Sequence, residues 1–275
     1  MNKKVSIIIP CFNQGKYVKD AIESALNQTY KNIEIICIND GSSDNSSEVI
    51  SNFKNIVFID LKENQGVINA RNLAIDSSNG EYILPLDADD KIEPTYVEKA
   101  VEILNNNPEI GIVYCKARFF GNANKEWILP EYSKERILFK NCIFNCALFR
   151  KEDFYRAGKY KENMKNGCED WDLWLSMIEL GLKPYRIDEI LFNYRQLGNS
   201  SRTALASKNN HWKNQLFKNH INLYSNNPTI GEKIFFDISK STRKIEKYKI
   251  LFKFTLTLLI VSILFFTILT ILIWK

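Results

Sequence analysis

Short apolar runs alternate with helical patterns through the first 115 residues, and this alternation limits the possible folds more than any other feature of the chain. A continuous apolar run of about four to eight residues, bounded by turn residues, is typical of a strand buried on both faces. Such runs predict five strands, at Val5–Pro10, Ile33–Ile38, Ile56–Asp60, Tyr82–Leu86 and Ile110–Cys115.

Helical patterns fill the gaps between these strands. The first helix carries an apolar face made of Val18, Ile22, Ala25 and Leu26. The others are predicted at Ser43–Phe53, with Ser42 or Ser43 as the N-cap, at Val67–Ile75, and from Pro94 to Asn105. This order predicts an α/β fold with a doubly wound, mostly parallel sheet. In such folds, ligands bind beyond the carboxyl ends of the strands.

The remaining residues follow a different pattern. Residues 116–200 are less regular, and we expect short strands, loops and one helix around Trp171–Leu180. The 21 residues from Phe254 to Trp274 carry no charge. As a helix they would span roughly 30 Å, which is the thickness of a hydrocarbon core. We therefore predict one transmembrane helix at residues 251–274, with a buried core helix as the alternative.

The formal net charge of +5 is concentrated in one segment. Six basic residues lie within residues 240–253 against one acid, Glu246, whereas the first 239 residues carry 30 basic and 31 acidic side chains. A nearly neutral body gives no indication of nucleic-acid binding. A basic stretch next to an apolar span lies on the cytoplasmic side under the positive-inside rule. The expected location is therefore the inner membrane, with a single pass and the N-terminal body in the cytoplasm.

The six cysteines do not form a metal-binding or redox motif. No Cys-x-x-Cys pair is present, and Cys37 and Cys115 fall inside predicted strands. The pattern is typical of buried, reduced thiols in a cytosolic domain. The apolar run from Val5 to Ile9 is too short for a signal peptide.

Acidic residues follow the second and fourth strands directly. Asp40, in the string Asn39–Asp44, could accept hydrogen bonds from a nucleobase imide or a ribose hydroxyl, although the same string would also form an Asx turn and a helix cap. Asp87 and Asp89 are one residue apart. Carboxylates in this spacing could hold a divalent cation that bridges two phosphates, or could simply form an exposed acidic turn.

Two further segments carry candidate chemistry. Arg71, one turn into a predicted helix, could contact a diphosphate or stack on a base, or could be a solvated helix arginine. The string Cys168–Trp174 places acids and indoles at the start of another predicted helix. Acids are favoured at a helix N-terminus in any case. One of them could also act as a general base, with Trp171 and Trp174 forming a platform for a sugar.

Five strings occur in the order found in one enzyme family. They are Ile7–Asn13, Asn39–Asp44, Asn64–Gly66 with Ala70–Asn72, Asp87–Asp90, and Glu169-Asp170. In these strings the chain resembles the family 2 inverting glycosyltransferases with the GT-A fold, of the bacterial cell-surface polysaccharide type. The resemblance covers about residues 1–200. It implies a nucleotide-sugar-binding half at 1–115, an acceptor-side half at 116–200, a basic juxtamembrane segment at 201–250 and the membrane helix at 251–274.

The resemblance also implies roles for individual residues. Asp170 would be the catalytic base, beside Glu169, and Asp89 would hold Mg²⁺ or Mn²⁺ on the diphosphate. The family usually has two acids before the glycine, where this chain has Asn39-Asp40. The residues expected to bind the donor are Pro10, Phe12, Asn13, Asp40, Arg71 and Asp87.

The expected function is metal-dependent, inverting transfer of a hexosyl or N-acetylhexosaminyl unit from a nucleotide-sugar, with a preference for a UDP-sugar. The expected acceptor is a hydroxyl of a glycan or polyprenyl-linked molecule in surface polysaccharide synthesis. One alternative is a non-catalytic, membrane-attached sugar-binding protein, which would tolerate loss of Asp170. Another is a nucleotidyltransferase, which would typically have a basic, glycine-rich loop near the N-terminus. A dinucleotide oxidoreductase would need G-x-G-x-x-G after the first strand, and Pro10–Gly15 lacks it.

Overall fold

A mixed β-sheet with helices packed against it forms the main body of the protein. The computed structural model describes residues 3–197, 211–226, 240, 244–249 and 252. The chain divides into two units, residues 1–221 and 222–275. The strands are β1 (Val5–Cys11), β2 (Ile33–Asp40), β3 (Val57–Leu61), β4 (Tyr82–Pro85), β5 (Lys91–Ile92), β6 (Ile110–Gly121), β7 (Lys125–Trp127), β8 (Leu148–Arg150) and β9 (Lys183–Gln196).

Eight α-helices are assigned within the described ranges. They are α1 (Val18–Leu26), α2 (Ser46–Ser51), α3 (Val67–Asp76), α4 (Tyr96–Asn106), α5 (Lys151–Arg156), α6 (Glu169–Glu179), α7 (His211–Asn219) and α8 (Ile221–Ser225), and a 3₁₀ turn covers Glu162–Met164. The sheet order is β3-β2-β1-β4-β8-β6-β9-β5, and β7 pairs with β6 outside this path.

The first half of the sheet confirms the predicted alternation. Strands β3, β2, β1 and β4 are all parallel to their neighbours. Every residue of β1 and of β4 is buried. Their continuous apolar sequences follow from this burial, because helices cover both faces of a parallel sheet. The loops that follow β1, β2 and β4 consequently meet at one edge.

The second half of the sheet departs from a parallel arrangement. Strand β8 lies antiparallel between β4 and β6, and β5 is antiparallel to β9. The predicted strand at Ile110–Cys115 continues to Gly121, because its backbone remains paired with β9. The sheet is therefore mixed. The extension was not predicted, because the apolar run ends at Cys115 and most of the residues beyond it are half-buried or exposed.

Three helix details differ from the prediction. Helix α2 begins at Ser46 instead of Ser43, because the Asp44 carboxylate accepts a hydrogen bond from the Ser46 amide and residues 42–44 form a loop. Leu26 is exposed, and α1 buries Val18, Ala21, Ile22 and Ala25. Helix α4 begins at Tyr96, two residues after Pro94.

The cysteines are as the sequence predicts. None of the six forms a disulfide, five are buried, and Cys168 is half-buried. No helix within the described residues is long and apolar enough to cross a membrane. The predicted span from Phe254 to Trp274 lies outside those residues and stays a prediction.

Candidate active site

The loops after β1 and β2 are joined by hydrogen bonds. The Asn13 amide donates to Ser42 Oγ over 2.9 Å, and Asn13 Oδ1 accepts from the Ser43 amide over 2.8 Å. The Gly15 amide donates to Asp44 Oδ2 over 2.9 Å. A Cβ atom on Gly15 would lie 2.2 Å from Asn45 Oδ1 and 2.9 Å from the Ser46 backbone nitrogen, so a side chain here would force the loop to shift. Asn13 and Gly15 therefore hold the loop after β1 against the loop after β2.

Pro10 lies within β1, and Phe12 lies in the loop that follows this strand. Pro10 is buried at the end of β1, whereas the Phe12 side chain is 46% exposed. An exposed phenyl ring beside polar loops can stack on a planar base or on the face of a sugar. Of the two residues, only Phe12 offers a free surface to a ligand.

Asp40 anchors the loop that leads into α3. Its carboxylate accepts hydrogen bonds from the Gln65 amide over 2.8 Å, from the Gly66 amide over 3.0 Å and from Asn64 Nδ2 over 3.0 Å. The residue is 2% exposed. Both carboxylate oxygens are therefore bonded to this loop. Asp40 thus clamps this loop, and its predicted contact with the nucleotide stays a prediction.

Arg71 is buried and bridges two carboxylates, one in the loop after β4 and one at the start of α6; the region that these two segments border is the crevice. Its Nη2 lies 2.6 Å from Asp87 Oδ1 and its Nη1 lies 2.7 Å from Glu169 Oε1, while the side chain is 3% exposed. Burial alone would lower the pKa of Arg71, but the two carboxylates hold it above its ordinary value. The helix position predicted for Arg71 is confirmed. Each terminal nitrogen bonds to a carboxylate of the protein, and the expected contact with a diphosphate stays a prediction.

The acidic loop after β4 contains three aspartates in different environments. Asp87 is partly exposed and also accepts a hydrogen bond from Asn145 Nδ2 over 3.3 Å. Asp90 is buried, its Oδ1 accepts the Arg195 amide over 2.8 Å, and burial together with the neighbouring aspartates raises its pKa well above the usual range. Burial and the Asp87 charge raise the pKa of Asp89 to about 6.

Arg195 holds this acidic loop in place, a role for which the sequence gives only a weak signal. Its Nε donates to the Asp89 carbonyl over 2.8 Å and its Nη2 to Asp20 Oδ2 over 2.7 Å. Its guanidinium carbon lies 4.2 Å from the centre of the Phe120 ring. Because the guanidinium faces the loop backbone, it fixes the loop without pairing with the Asp89 carboxylate.

Asp89 suits a divalent cation that also has ligands from a substrate. Within the described part of the chain, no salt bridge neutralises its carboxylate. No group of three or more Asp, Glu, His or Cys side chains in those residues surrounds a common point that could hold a metal ion. Mg²⁺ is commonly bound through one or two carboxylates plus substrate phosphates. The residues therefore fit a cation that arrives with a diphosphate, and do not form a complete protein cage.

The acid pair Glu169-Asp170 begins α6 directly after a left-handed residue, Cys168, with φ 64°. Asp170 Oδ1 accepts the Trp171 amide over 2.7 Å, and Oδ2 accepts Asn141 Nδ2 over 3.1 Å. Burial, followed by the charge of Glu169, raises the pKa of Asp170 to about 7. Asn141 lies in an irregular segment, where the sequence offers no motif that would have identified it.

The predicted tryptophan platform is wrong. Trp174 is fully buried, with its ring centre 5.8 Å from that of Phe149 in an edge-to-face contact. Trp171 is 6% exposed, and its Nε1 donates to the Ile137 carbonyl over 2.6 Å. Both indoles pack α6 against the core, since their positions on the helix face inward. Neither offers a ring face to a sugar.

A second polar network fastens α6 to the end of α7. Asp172 is buried and receives Lys161 Nζ at 2.9 Å, His220 Nε2 at 3.0 Å and Asn219 Nδ2 at 2.6 Å. Burial raises the pKa of Asp172, but these partners lower it more, so the pKa lies below its usual value. His220 Nδ1 lies 3.1 Å from Glu179 Oε2. The sequence analysis does not predict this anchoring role of His220.

Comparison with known proteins agrees with the fold and the order of these motifs. The profile of the family described as Glycosyl transferase family 2 matches residues 6–160. An uncharacterised glycosyltransferase of Haemophilus influenzae is 30% identical over 93% of this chain and 89% of its own length. The chondroitin synthase of Pasteurella multocida is 30% identical over 76% of this chain and 22% of its own length.

A solved structure shares the fold. TarS of S. aureus, residues 1–349 in complex with UDP-GlcNAc, superposes with a TM-score of 0.63 at 17% identity, covering 75% of this chain and 61% of the TarS chain. The chain thus spans about six tenths of that solved chain and about a fifth of the chondroitin synthase. The protein belongs to glycosyl transferase family 2, is of GT-A type, and is a glycosyltransferase.

The clamp at Asp40 yields the first testable prediction. Asp40→Asn should lower the free energy of unfolding by about 1–3 kcal/mol, because the new amide would place an N–H against the loop amides that the carboxylate now accepts. Denaturant unfolding measures this change. The matched control is Asp60→Asn, since Asp60 is exposed and accepts only side-chain donors, Asn39 and Ser47. If Asp40→Asn keeps its stability but no longer binds the donor, Asp40 contacts the nucleotide directly.

Proposed function

We propose that the protein transfers a glycosyl unit from a nucleotide-sugar to an acceptor hydroxyl with inversion of configuration. The observation that carries this proposal is the placement of Asp170. A recessed carboxylate with a pKa near 7 lies one residue from Glu169, and Arg71 joins Glu169 to Asp87 in the acidic loop. A general base works best when its pKa lies near the operating pH. Arg71 thus links the proposed base to the acidic loop after β4, residues 87–90, which is the donor loop of this proposal.

The reaction requires a single displacement. The Asp170 carboxylate accepts the proton of the acceptor hydroxyl, and the hydroxyl oxygen forms a bond with the anomeric carbon. The bond from that carbon to the diphosphate oxygen breaks on the opposite face, and the bonding electrons leave with the nucleoside diphosphate. Asn141 and the Trp171 amide orient the carboxylate during this transfer. No covalent bond between sugar and enzyme is needed.

Charge on the departing diphosphate is the other demand on the site. Mg²⁺ or Mn²⁺ bound at Asp89 would neutralise the negative charge that develops on the leaving group. Asp89 supplies a carboxylate without a competing ion pair in the described residues, and Arg195 fixes its backbone. Phe12 supplies an exposed ring for the base or the sugar.

The relatives support a coarse assignment of the substrates. TarS binds UDP-GlcNAc, which supports a UDP-sugar donor of the hexosyl or N-acetylhexosaminyl kind. The relative from Pasteurella multocida is named for synthesis of chondroitin, a polysaccharide. We infer a glycan or polyprenyl-linked acceptor in surface polysaccharide synthesis. A panel of nucleotide-sugars, with release of nucleoside diphosphate as the readout, tests the donor. A protein that binds such donors but releases none would support a sugar-binding role instead.

Replacement of the base tests the mechanism. Asp170→Asn should reduce transfer by at least ~10²-fold while leaving donor binding intact, because the substitution preserves size and removes basicity. For the native enzyme, kcat/KM should fall tenfold per pH unit below about 7, since the base must be deprotonated to act and its pKa is about 7. If Glu169→Gln abolishes transfer at every pH and Asp170→Asn does not, Asp170 is not the base.

Removal of the cation ligand tests the role of Asp89. Asp89→Ala should abolish the Mn²⁺-dependent turnover without lowering the unfolding temperature, because the carboxylate lies on a loop and makes no ion pair in the described residues. Mn²⁺ titration of turnover, together with thermal unfolding, measures both properties. Glu102→Ala, which removes an exposed acid on α4, is the control. Native activity of Asp89→Ala at ordinary Mn²⁺ concentration would refute the assignment.

We also propose that the catalytic body faces the cytoplasm at the inner membrane, held by one apolar helix. Two sequence features support this location: the uncharged run from Phe254 to Trp274, and the six basic residues between 240 and 253. Basic residues on this side of a span agree with the positive-inside rule. The same residues would attract anionic headgroups by about 1 kcal/mol each.

Removal of residues 251–275 tests this location. The truncated protein should partition into the soluble fraction and still release nucleoside diphosphate with a small, water-soluble acceptor. It should lose efficiency mainly with a membrane-bound acceptor. In intact cells, protease added outside should leave the N-terminal body uncut. Cleavage of that body would reverse the orientation, and a truncated chain that fails to fold would place the apolar run in the core.

A further inference from the structure

Arg71 belongs to a closed network that connects the donor loop with the acid pair. On one side, Asp87 Oδ1 receives both Arg71 Nη2 at 2.6 Å and Asn145 Nδ2 at 3.3 Å. The Tyr160 hydroxyl donates to Asn145 Oδ1 over 3.2 Å, and the Arg71 guanidinium lies 5.5 Å from the centre of the Tyr160 ring. On the other side, Arg71 Nη1 meets Glu169 at 2.7 Å. One buried cation is therefore shared by two carboxylates.

Glu169 and Asp170 are adjacent carboxylates, and their charges repel each other. A like charge disfavours ionisation of its neighbour, and an opposite charge within about 4–6 Å favours it. Arg71 neutralises Glu169 at short range, which limits the repulsion that Asp170 experiences. Because the same guanidinium also bonds to Asp87, the position of the donor loop and the charge beside Asp170 depend on one side chain.

The surroundings of Asp170 contain few other groups that could set its protonation. From its own helix it faces Glu169 and the Trp171 amide, and from the segment before β8 it faces the Asn141 amide. Arg71 approaches from α3, and the Tyr160 phenol and Asp87 lie across the network. Within the described residues, Arg71 is the single cation among these groups.

We propose that Arg71 is a positioning residue that sets the protonation of Asp170 through Glu169 and couples it to the donor loop through Asp87. This inference rests on the proposed role of Asp170 as the base. It assigns Glu169 a definite task as well: this carboxylate holds Arg71 beside the base and takes no proton from the acceptor. Lysine could not replace Arg71 fully, since a single ammonium cannot bond to both acids as a planar fork does.

The test compares the acidic limb of the pH profile of kcat/KM in two variants. Glu169→Gln should move the limb to lower pH, because it removes the charge that repels an ionised Asp170. A shift of about one pH unit would raise kcat/KM at pH 6, relative to its own plateau, about fivefold. Arg71→Lys should move the limb to higher pH, because Glu169 is less well neutralised. Only Arg71→Lys should also raise the KM of the donor, through Asp87.

Two exposed residues on α5 supply matched controls. Glu152→Gln and Arg156→Lys make the same chemical changes away from the crevice and should leave the limb and the KM unmoved. Thermal unfolding of each variant establishes that it is folded at the pH values used. If Arg71→Lys does not fold, Glu169→Gln still decides the electrostatic part, because Arg71 then keeps its bond to Asp87.

The outcomes separate this inference from the proposed function. If Asp170→Asn retains native turnover, the base assignment and the role of Arg71 are both overturned. If Asp170→Asn is inactive while the limb stays at the same pH in Glu169→Gln and in Arg71→Lys, only the role of Arg71 is overturned. A fall in kcat with an unmoved limb would mean that the bridge is merely structural.

Discussion

The guanidinium of Arg71 lies between carboxylates from two distant parts of the chain, Asp87 at the end of β4 and Glu169 at the start of α6. Removing an ion from water costs several kcal/mol unless its partners are well placed. A buried Arg71 therefore requires both acids to stay where they are. This requirement fixes the acidic loop after β4 and the first turn of α6 relative to each other.

The acids at this edge of the sheet meet the cost of burial in different ways. The Asp40 carboxylate accepts hydrogen bonds from loop amides, and the Asp87 carboxylate pairs with Arg71. Asp90 accepts a hydrogen bond from the Arg195 amide, and its pKa lies well above the usual range. Asp89, Asp90 and Asp170 all have raised pKa values and no ion pair in the described residues, but Asp90 is buried, whereas Asp89 and Asp170 are half-buried. Stabilisation from an external charge or proton is therefore concentrated on these two. The chemistry proposed for the site uses the same pair.

The sequence predicts the scaffold better than the details of the site. Continuous apolar runs locate the strands of the first half of the sheet, and β1 and β4 are buried throughout, as such runs predict. Which partner a polar side chain takes depends on contacts far along the chain: Arg71 and Glu169 are 98 residues apart. The indole of Trp174 faces the core, because the face of a helix that packs is decided by its neighbours. Acid spacing alone could not reveal that Asp40 is a clamp.

The clamp at Asp40 also has a consequence for how the chain can vary. Its bonds to residues 64–66, and the bonds that join the β1 and β2 loops, hold both ends of the segment that carries α2 and β3. The connection between these two elements, residues 52–56, lies beyond those bonds and is largely exposed. Insertions are best tolerated in exposed connections of this kind. Over evolutionary time this outer edge can lengthen, shorten or acquire a new surface while the crevice keeps its shape, so that descendants of one enzyme can diverge in their associations without first losing their chemistry.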